Sequence, residues 1–260
     1  MPVATAVVTG AGSGIGKALA ERLAIEGVRV VVNDLDATAA AAVAASTGAL
    51  AVPGDAATEA GVELLHAAAV AHLDTIDAWF ANAGVDAGRG LQTAESEWAA
   101  SWEVNVMAHV RAARLLLPDW VERGSGRFVV TASAAGVLTM LGAPAYAVTK
   151  HGAVAFAEWL ATTYRHRGVV VQAICPQGVD TPMLRRAGAL QDMLSHDQAL
   201  TPADVADMVW SPLHDDRFLV LPHPEVASYA AARGGDRDRW LAGMNRLQQR
   251  LEQQQVLPGE

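Results

Sequence analysis

The sequence is short of several things, and each shortage excludes a class of protein. It has one cysteine, Cys175, in 260 residues, so no internal disulfide can form. A disulfide-stapled secreted scaffold is excluded, and the reducing cytoplasm is the expected compartment. Basic residues are outnumbered: 19 Lys and Arg against 28 Asp and Glu give a formal net charge of −9. That balance argues against nucleic acid or an anionic membrane as partner, since both need a basic face. No run reaches the roughly 18 strongly apolar residues of a membrane span. The opening Met1–Thr5 lacks a basic segment followed by an apolar one, so no signal peptide is expected. The 8 histidines show neither H-x-H nor H-E-x-x-H spacing, so no metal site is expected. Aromatic residues make up only 5%, which with abundant Ala and Gly implies closely packed helices and strands.

What is present is a regular alternation. Ala4–Thr9, Val28–Asn33, Ala49–Pro53, Ile76–Asn82, Gly126–Ser133, Val169–Cys175 and Arg217–Leu221 read as strands. Between them Ser13–Glu26, Ala37–Ser46, Glu59–His72, Ser101–Arg123 and Ala145–Arg167 carry helical patterns, the first closed by Gly27. Strand and helix in turn imply crossover connections and a parallel sheet. Nearly unbroken apolar strands imply a sheet covered on both faces. The expected fold is α/β and doubly wound, with a seven-stranded parallel sheet. A single domain over 1–260 is expected, with a core over 3–222 and a C-terminal helical extension over 223–260. In that extension Trp240, Met244, Leu247 and Leu251 form one helical stripe within Asp236–Gln254. Docking on a neighbouring subunit is the expected use of that stripe.

The first strand runs into Thr9-Gly10-Ala11-Gly12-Ser13-Gly14-Ile15-Gly16. Glycines at a strand-to-helix turn let backbone N–H groups approach a pyrophosphate at the helix N-terminus. Walker A fails, because Ala11 stands where its first Gly belongs and Ala18 follows Lys17. The G-x-G-x-x-G pattern fails at Ile15 or Lys17. What remains is T-G-x3-G-x-G. Asp34 ends the second strand about twenty residues on, where a carboxylate can accept hydrogen bonds from an adenosine ribose. Asp34 and Asp36 would repel a 2′-phosphate, and neither Ser13 nor Leu35 is a cation to receive one. NAD is therefore expected over NADP.

Further on, Ser133 ends the fifth strand, and Tyr146 and Lys150 open the next helix. Their i, i+4 spacing puts phenol and ammonium on one face. A free Tyr, with pKa about 10, is a poor acid or base near neutrality. A cation beside it is expected to lower that value toward general acid–base use. Ser133 can donate a hydrogen bond to a substrate oxygen at the strands' carboxyl ends, where ligands bind in open α/β sheets.

With these motifs in this order, the sequence resembles the short-chain dehydrogenase/reductase superfamily, in its branch of about this length. The resemblance runs over roughly 3–222. It rests on Thr9–Gly16, Asp55, Asn82-Ala83-Gly84, Asn105, Ser133, the Tyr146/Lys150 pair and Pro176–Pro182. It implies a Rossmann fold in which Tyr146 is the catalytic acid/base and Ser133 steadies the substrate oxygen. Lys150 would bind the nicotinamide ribose and lower the Tyr146 pKa, and Asn105 would hold a water in a proton relay. Asp55 and Ala56 would flank the adenine, Asn82, Ala83 and Gly84 would floor the cofactor, and Thr181 would meet its carboxamide. Gly10, Ser13, Gly14, Ile15, Gly16, Asp34, Leu35, Pro176, Gly178 and Val179 complete the implied cofactor-binding set. A homo-oligomer, tetramer or dimer, is also implied.

The chain departs from the family pattern at Ala81, where a second Asn is common, and at Gln177, where Gly usually follows Pro. Gln cannot enter positive φ as cheaply as Gly, so a differently shaped loop or an added polar contact is expected there. Met140, Leu141, Met183, Leu184, Met193 and Leu194 fall in segments that line the substrate cleft in this family, which suggests an apolar substrate. His151 reads as a peripheral helix residue and Cys175 as a small core residue. The expected activity is NAD-dependent interconversion of a secondary alcohol and a ketone on a hydrophobic small molecule. The alternative is an NAD-binding sensor or regulatory subunit without turnover. An enoyl reductase of Tyr-x6-Lys type is excluded by Ala143. Which alcohol is bound, and in which direction the reaction runs, stays open.

Overall fold

Strands β1 (Thr5–Thr9), β2 (Arg29–Asn33), β3 (Leu50–Ala51), β4 (Ala78–Ala81), β5 (Gly126–Thr131), β6 (Val169–Ile174) and β7 (Leu219–Val220) form one sheet in a computed structural model that describes residues 3–187 and 199–257. The order is β3-β2-β1-β4-β5-β6-β7, and every pairing is parallel. The order reverses between β1 and β4. Crevices beyond the carboxyl ends at such a switch point are where doubly wound sheets take ligands.

Alternation along the strands sorts the core into two layers. Val7, Val31, Trp79, Ala81, Phe128 and Val130 face α3 (Glu59–Leu73), α5 (Ala108–Glu122) and α6 (Pro144–Tyr164). Ala6, Val8, Val30, Val32, Phe80 and Val129 face α1 (Gly14–Ile25), α2 (Ala37–Thr47) and α8 (Pro202–Trp210). Successive strand residues point to opposite faces, so one apolar run serves both layers. Small residues set the spacing where the layers meet. A Cβ on Gly126 would fall 2.1 Å from the Trp120 ring, and Trp120 in turn donates its indole N–H to Ile76 O at 2.7 Å.

Three expected elements differ in extent. The helix expected over Ser101–Arg123 starts earlier, as α4 (Glu95–Trp102), passes through a turn of π-helix over Glu103–Met107 and continues as α5. Its start is favoured by Glu95 and Glu97 in the first turn, where the helix dipole favours negative charge, and the Glu97 carboxylate accepts from Ala94 N–H at 3.2 Å. The strands expected over Ala49–Pro53 and Arg217–Leu221 shrink to two residues each. Both are edge strands with a neighbour on one side only, so only the paired residues hold ladder geometry.

Past β7 the chain forms α9 (Glu225–Gly235) and α10 (Arg237–Gln253). The Asp236 carboxylate caps α10 by accepting from Arg239 N–H at 3.0 Å. The expected stripe exists, but it packs within its own chain. Trp240 lies with Leu138, Val226 and Tyr229, and Leu251 and Leu257 are buried with Ala187 and Leu141. The short helix α7 (Pro182–Arg185) ends two residues before Ala187, with Arg186 as its C-cap. Among the described residues no helix is long and apolar enough to cross a membrane, and no group of three His, Cys, Asp or Glu is placed to hold a metal.

Candidate active site

The glycine turn closes tightly between β1 and α1. Gly10 has φ +61° and Gly14 +53°, a region side chains rarely enter. A Cβ on Gly16 would meet Gly10 O at 2.2 Å and Asn82 Nδ2 at 2.4 Å. Thr9 Oγ1 accepts from Asn82 N–H at 3.0 Å and Ala83 N–H at 3.1 Å, and Asn82 Nδ2 donates to Thr9 O at 3.0 Å. The end of β4 is thus fastened under the turn. Asp34, at the end of β2, accepts from Gly12 N–H at 2.8 Å and Asp36 N–H at 3.0 Å. These features fit a dinucleotide, since the bare backbone of the turn could receive a pyrophosphate and the fixed Asp34 carboxylate could accept from a ribose hydroxyl.

Across the cleft stands the polar cluster. Ser133 follows β5, and its Oγ accepts from Ala135 N–H at 3.1 Å. Tyr146 and Lys150 lie on the first turns of α6, which Pro144 opens. Lys150 Nζ donates to Thr131 O at 2.9 Å and sits 5.6 Å from the Tyr146 ring centroid. Asn105 lies in the π-helical turn: Nδ2 donates to Val85 O at 2.9 Å and Thr149 Oγ1 at 3.0 Å, while Oδ1 accepts from Val85 N–H at 2.9 Å. A Cβ on Gly84 would fall 3.2 Å from Lys150 Nζ and 3.3 Å from Asn105 Oδ1. Gly84 therefore keeps the space between them clear.

The electrostatics correct one expectation. The Tyr146 phenol is shifted above its ordinary value, opposite to the expected direction. Burial pushes the phenol up to about 12, with the Ser133 hydrogen bond opposing and Asp86 and Cys175 adding to the rise. Burial pulls Lys150 down to about 8, against the opposing influence of Cys175 and Asp86. Both groups are desolvated together, and desolvation, the largest cause at each, disfavours each charged form. Burial likewise lifts Cys175 to about 12, as befits an inert core thiol.

One cleft of about 290 Å³ joins the two halves. Of the expected residues it is lined by Gly10, Ser13, Gly14, Ile15, Asp34, Asn82, Ala83, Gly84, Ser133, Tyr146, Lys150, Pro176, Gly178, Val179 and Thr181. Met140, Met183 and Leu184 line it too. Five expected residues stand back from its wall. Gly16 lies beneath the turn, and Asn105 is fully buried behind Gly84. Leu35 is 73% exposed. Asp55 caps a turn by accepting from Ala57 N–H at 2.9 Å. Ala56 lines a separate small pocket with Ala83 and His109. Leu141 belongs to the α10 seam instead of the cleft, while Met193 and Leu194 lie outside the described residues. Gln177 adopts no positive φ. Its backbone N–H donates to His223 Nδ1 at 3.1 Å, a bond that Gly in its place could make as well. His151 Nδ1 lies 2.8 Å from Ala147 O and its Nε2 3.2 Å from an Arg233 nitrogen, turned to the periphery. Sequence reasoning missed Asp86, Thr131 and Arg186, which also line the cleft. Asp86 falls two residues after the Asn82-Ala83-Gly84 triplet, the one signal that could have located it.

A parallel doubly wound sheet, a glycine turn after its first strand and a Ser, Tyr and Lys group at the strand ends define a dinucleotide-dependent oxidoreductase. The chain belongs to the short chain dehydrogenase family, whose model matches residues 4–192. It is 38% identical over 230 residues to a 1-deoxy-11-beta-hydroxypentalenate dehydrogenase of Streptomyces exfoliatus, covering 85% of this chain and 83% of that protein. It is 34% identical over 192 residues to a levodione reductase of Leifsonia aquatica, covering 70% and 71%. Among solved structures, a short chain dehydrogenase/reductase from Burkholderia phymatum in complex with NAD superposes with a TM-score of 0.84 at 29% identity, covering 91% of this chain and 94% of that one.

Proposed function

We propose that the protein is an NAD-dependent dehydrogenase that interconverts a secondary alcohol and a ketone on a hydrophobic small molecule. The observation that carries this reading is the meeting of Ser133, Tyr146 and Lys150 with the Thr9–Gly16 turn on one cleft. NAD, when bound, accepts or returns the hydride. Gly10, Ser13, Gly14 and Ile15 would hold its pyrophosphate, and Asp34 its adenosine ribose in preference to a 2′-phosphate. Ser133 would donate a hydrogen bond to the substrate oxygen and stabilise the charge that develops there. Tyr146 would carry the proton of the carbinol. With a phenol held near 12, it is protonated at neutral pH and ready to donate toward the alcohol. Oxidation requires it to lose that proton, so this direction gains as pH rises. Lys150 would bind the nicotinamide ribose, and Asn105 would keep the Val85 backbone and the base of α6 in place around it.

The apolar wall of Met140, Met183 and Leu184 supports a hydrophobic substrate. So do relatives named for a hydroxypentalenate and for levodione. The complete Asn105, Ser133, Tyr146 and Lys150 set favours turnover over a sensor role. We also place the enzyme in the cytoplasm as a homo-oligomer, dimer or tetramer. The single, buried Cys175 supports the compartment, and exposed Trp102, Val148 and Trp159 on neighbouring α4 and α6 support assembly. The test is an NAD-reduction screen over hydrophobic secondary alcohols with native protein and Tyr146→Phe. Native turnover is expected, with at least a 100-fold loss in the variant and little change in NAD affinity. Near-native turnover by the variant would overturn the assignment of Tyr146.

A further inference from the structure

The loop leaving β4 carries a carboxylate that the proposed chemistry does not use. Asp86 lines the cleft beside Ser133, Tyr146 and Met140, yet its side chain is only 8% exposed. Arg89 grips it in a fork, Nη1 to Oδ1 at 2.8 Å and Nη2 to Oδ2 at 2.9 Å. The guanidinium also donates to Gly88 O at 2.6 Å. The loop around this pair is fastened at both ends. Val85 is bonded in both directions to Asn105, and Gly90 N–H donates to Gly142 O at 3.0 Å. Asp86 is therefore held in place before any substrate arrives.

Each carboxylate oxygen can accept twice, and the fork uses one site on each. Capacity to accept remains on both oxygens, in a cleft whose other substrate-side residues include Met140, Met183 and Leu184. A partly satisfied carboxylate beside apolar walls is costly unless a ligand supplies the missing donor. The same charge raises the pKa of both Tyr146 and Lys150, so it bears on the reacting centre.

We propose that Asp86 determines specificity by accepting a hydrogen bond from a second hydroxyl on the substrate. The preferred substrates are then apolar molecules with a further O–H close to the carbinol that is oxidised, such as diols and hydroxyketones. A substrate carboxylate at that position would be repelled. The inference rests on the reading that Ser133 and Tyr146 receive the carbinol.

The experiment compares cyclohexanol with trans-cyclohexane-1,2-diol as NAD-dependent substrates of native protein, Asp86→Leu and the near-isosteric Asp86→Asn. Native protein should favour the diol by roughly 10-fold or more in kcat/KM, the range of a hydrogen bond to a charged group. Asp86→Leu should bring that ratio close to one, with Asp86→Asn between. A native ratio near one, or a ratio that survives Asp86→Leu, overturns the proposal. If neither compound turns over, the same comparison is made by thermal shift with NADH present. A larger shift from the diol, lost in Asp86→Leu, supports the proposal, and equal shifts overturn it. Tyr146→Phe run in parallel keeps the questions apart, since its retained turnover would overturn the acid/base reading without touching the diol ratio.

Discussion

At Tyr146 and Lys150 the decisive quantity is burial, and the same holds at a third residue behind them. His109 on α5 is buried, and its Nε2 has no hydrogen-bond partner among the described residues. Burial, and then the charge of Lys150, hold its pKa down to about 3. The folded state thus keeps this imidazole neutral, while the unfolded chain takes up a proton below the ordinary value of 6.5. The stabilisation is fully present above pH 6.5 and is lost as pH falls toward 3, at a limiting slope of about 1.4 kcal/mol per pH unit. Urea unfolding at pH 7.5 and 5.5 should show a clear drop for native protein and a smaller one for His109→Leu. Equal drops would remove His109 from the acid response. Spacing revealed Ser133, Tyr146, Lys150 and the glycine turn, because their chemistry demands given residue types at given intervals. It could not reveal how deeply Tyr146 and Lys150 are buried, and so it misjudged the direction in which the phenol is shifted. Asp86 escaped for a related reason: its place depends on Arg89, Asn105 and Gly142, which the chain brings together only on folding.

Among the elements, the π-helical turn between α4 and α5 and the terminal helix α10 each add something that periodicity did not disclose. The wide turn inserts Asn105 into a helix that would otherwise run on, and such turns often sit at functional sites. Its apolar pattern reads as ordinary helix, which is why the expected element was one continuous segment. Helix α10 was legible as an amphipathic stripe, but the stripe does not say which surface it covers. Leu251 is buried against Ala187 and Leu141, and Ala187 itself lines the cleft. Leu251→Ala should cost about 2 kcal/mol, at the low end for a buried leucine because the cluster is small. Loosening this seam should raise the KM for the alcohol more than that for NAD. Thermal unfolding and steady-state kinetics measure the two effects, and an unchanged ratio of the two KM values would detach α10 from the cleft.

For the molecule as a whole, α4 and α6 present large apolar side chains to solvent, with Trp159 54% exposed and Trp102 43%. The face they form is the one proposed for assembly. Sedimentation equilibrium should give a dimer or tetramer for native protein and a smaller species for Trp159→Glu, whereas a native monomer would sink the proposal. The strand order also has a consequence for how the protein is made. Thr9 Oγ1 receives its hydrogen bonds from Asn82 and Ala83, 73 and 74 positions later. A ribosome therefore produces β1, the glycine turn and β2 long before it delivers the segment that fastens them. A ligand stabilises only the states it binds, so cofactor can assist only nascent chains that have grown past Gly84. Until then the first third of the enzyme must depend on its own packing or on a chaperone.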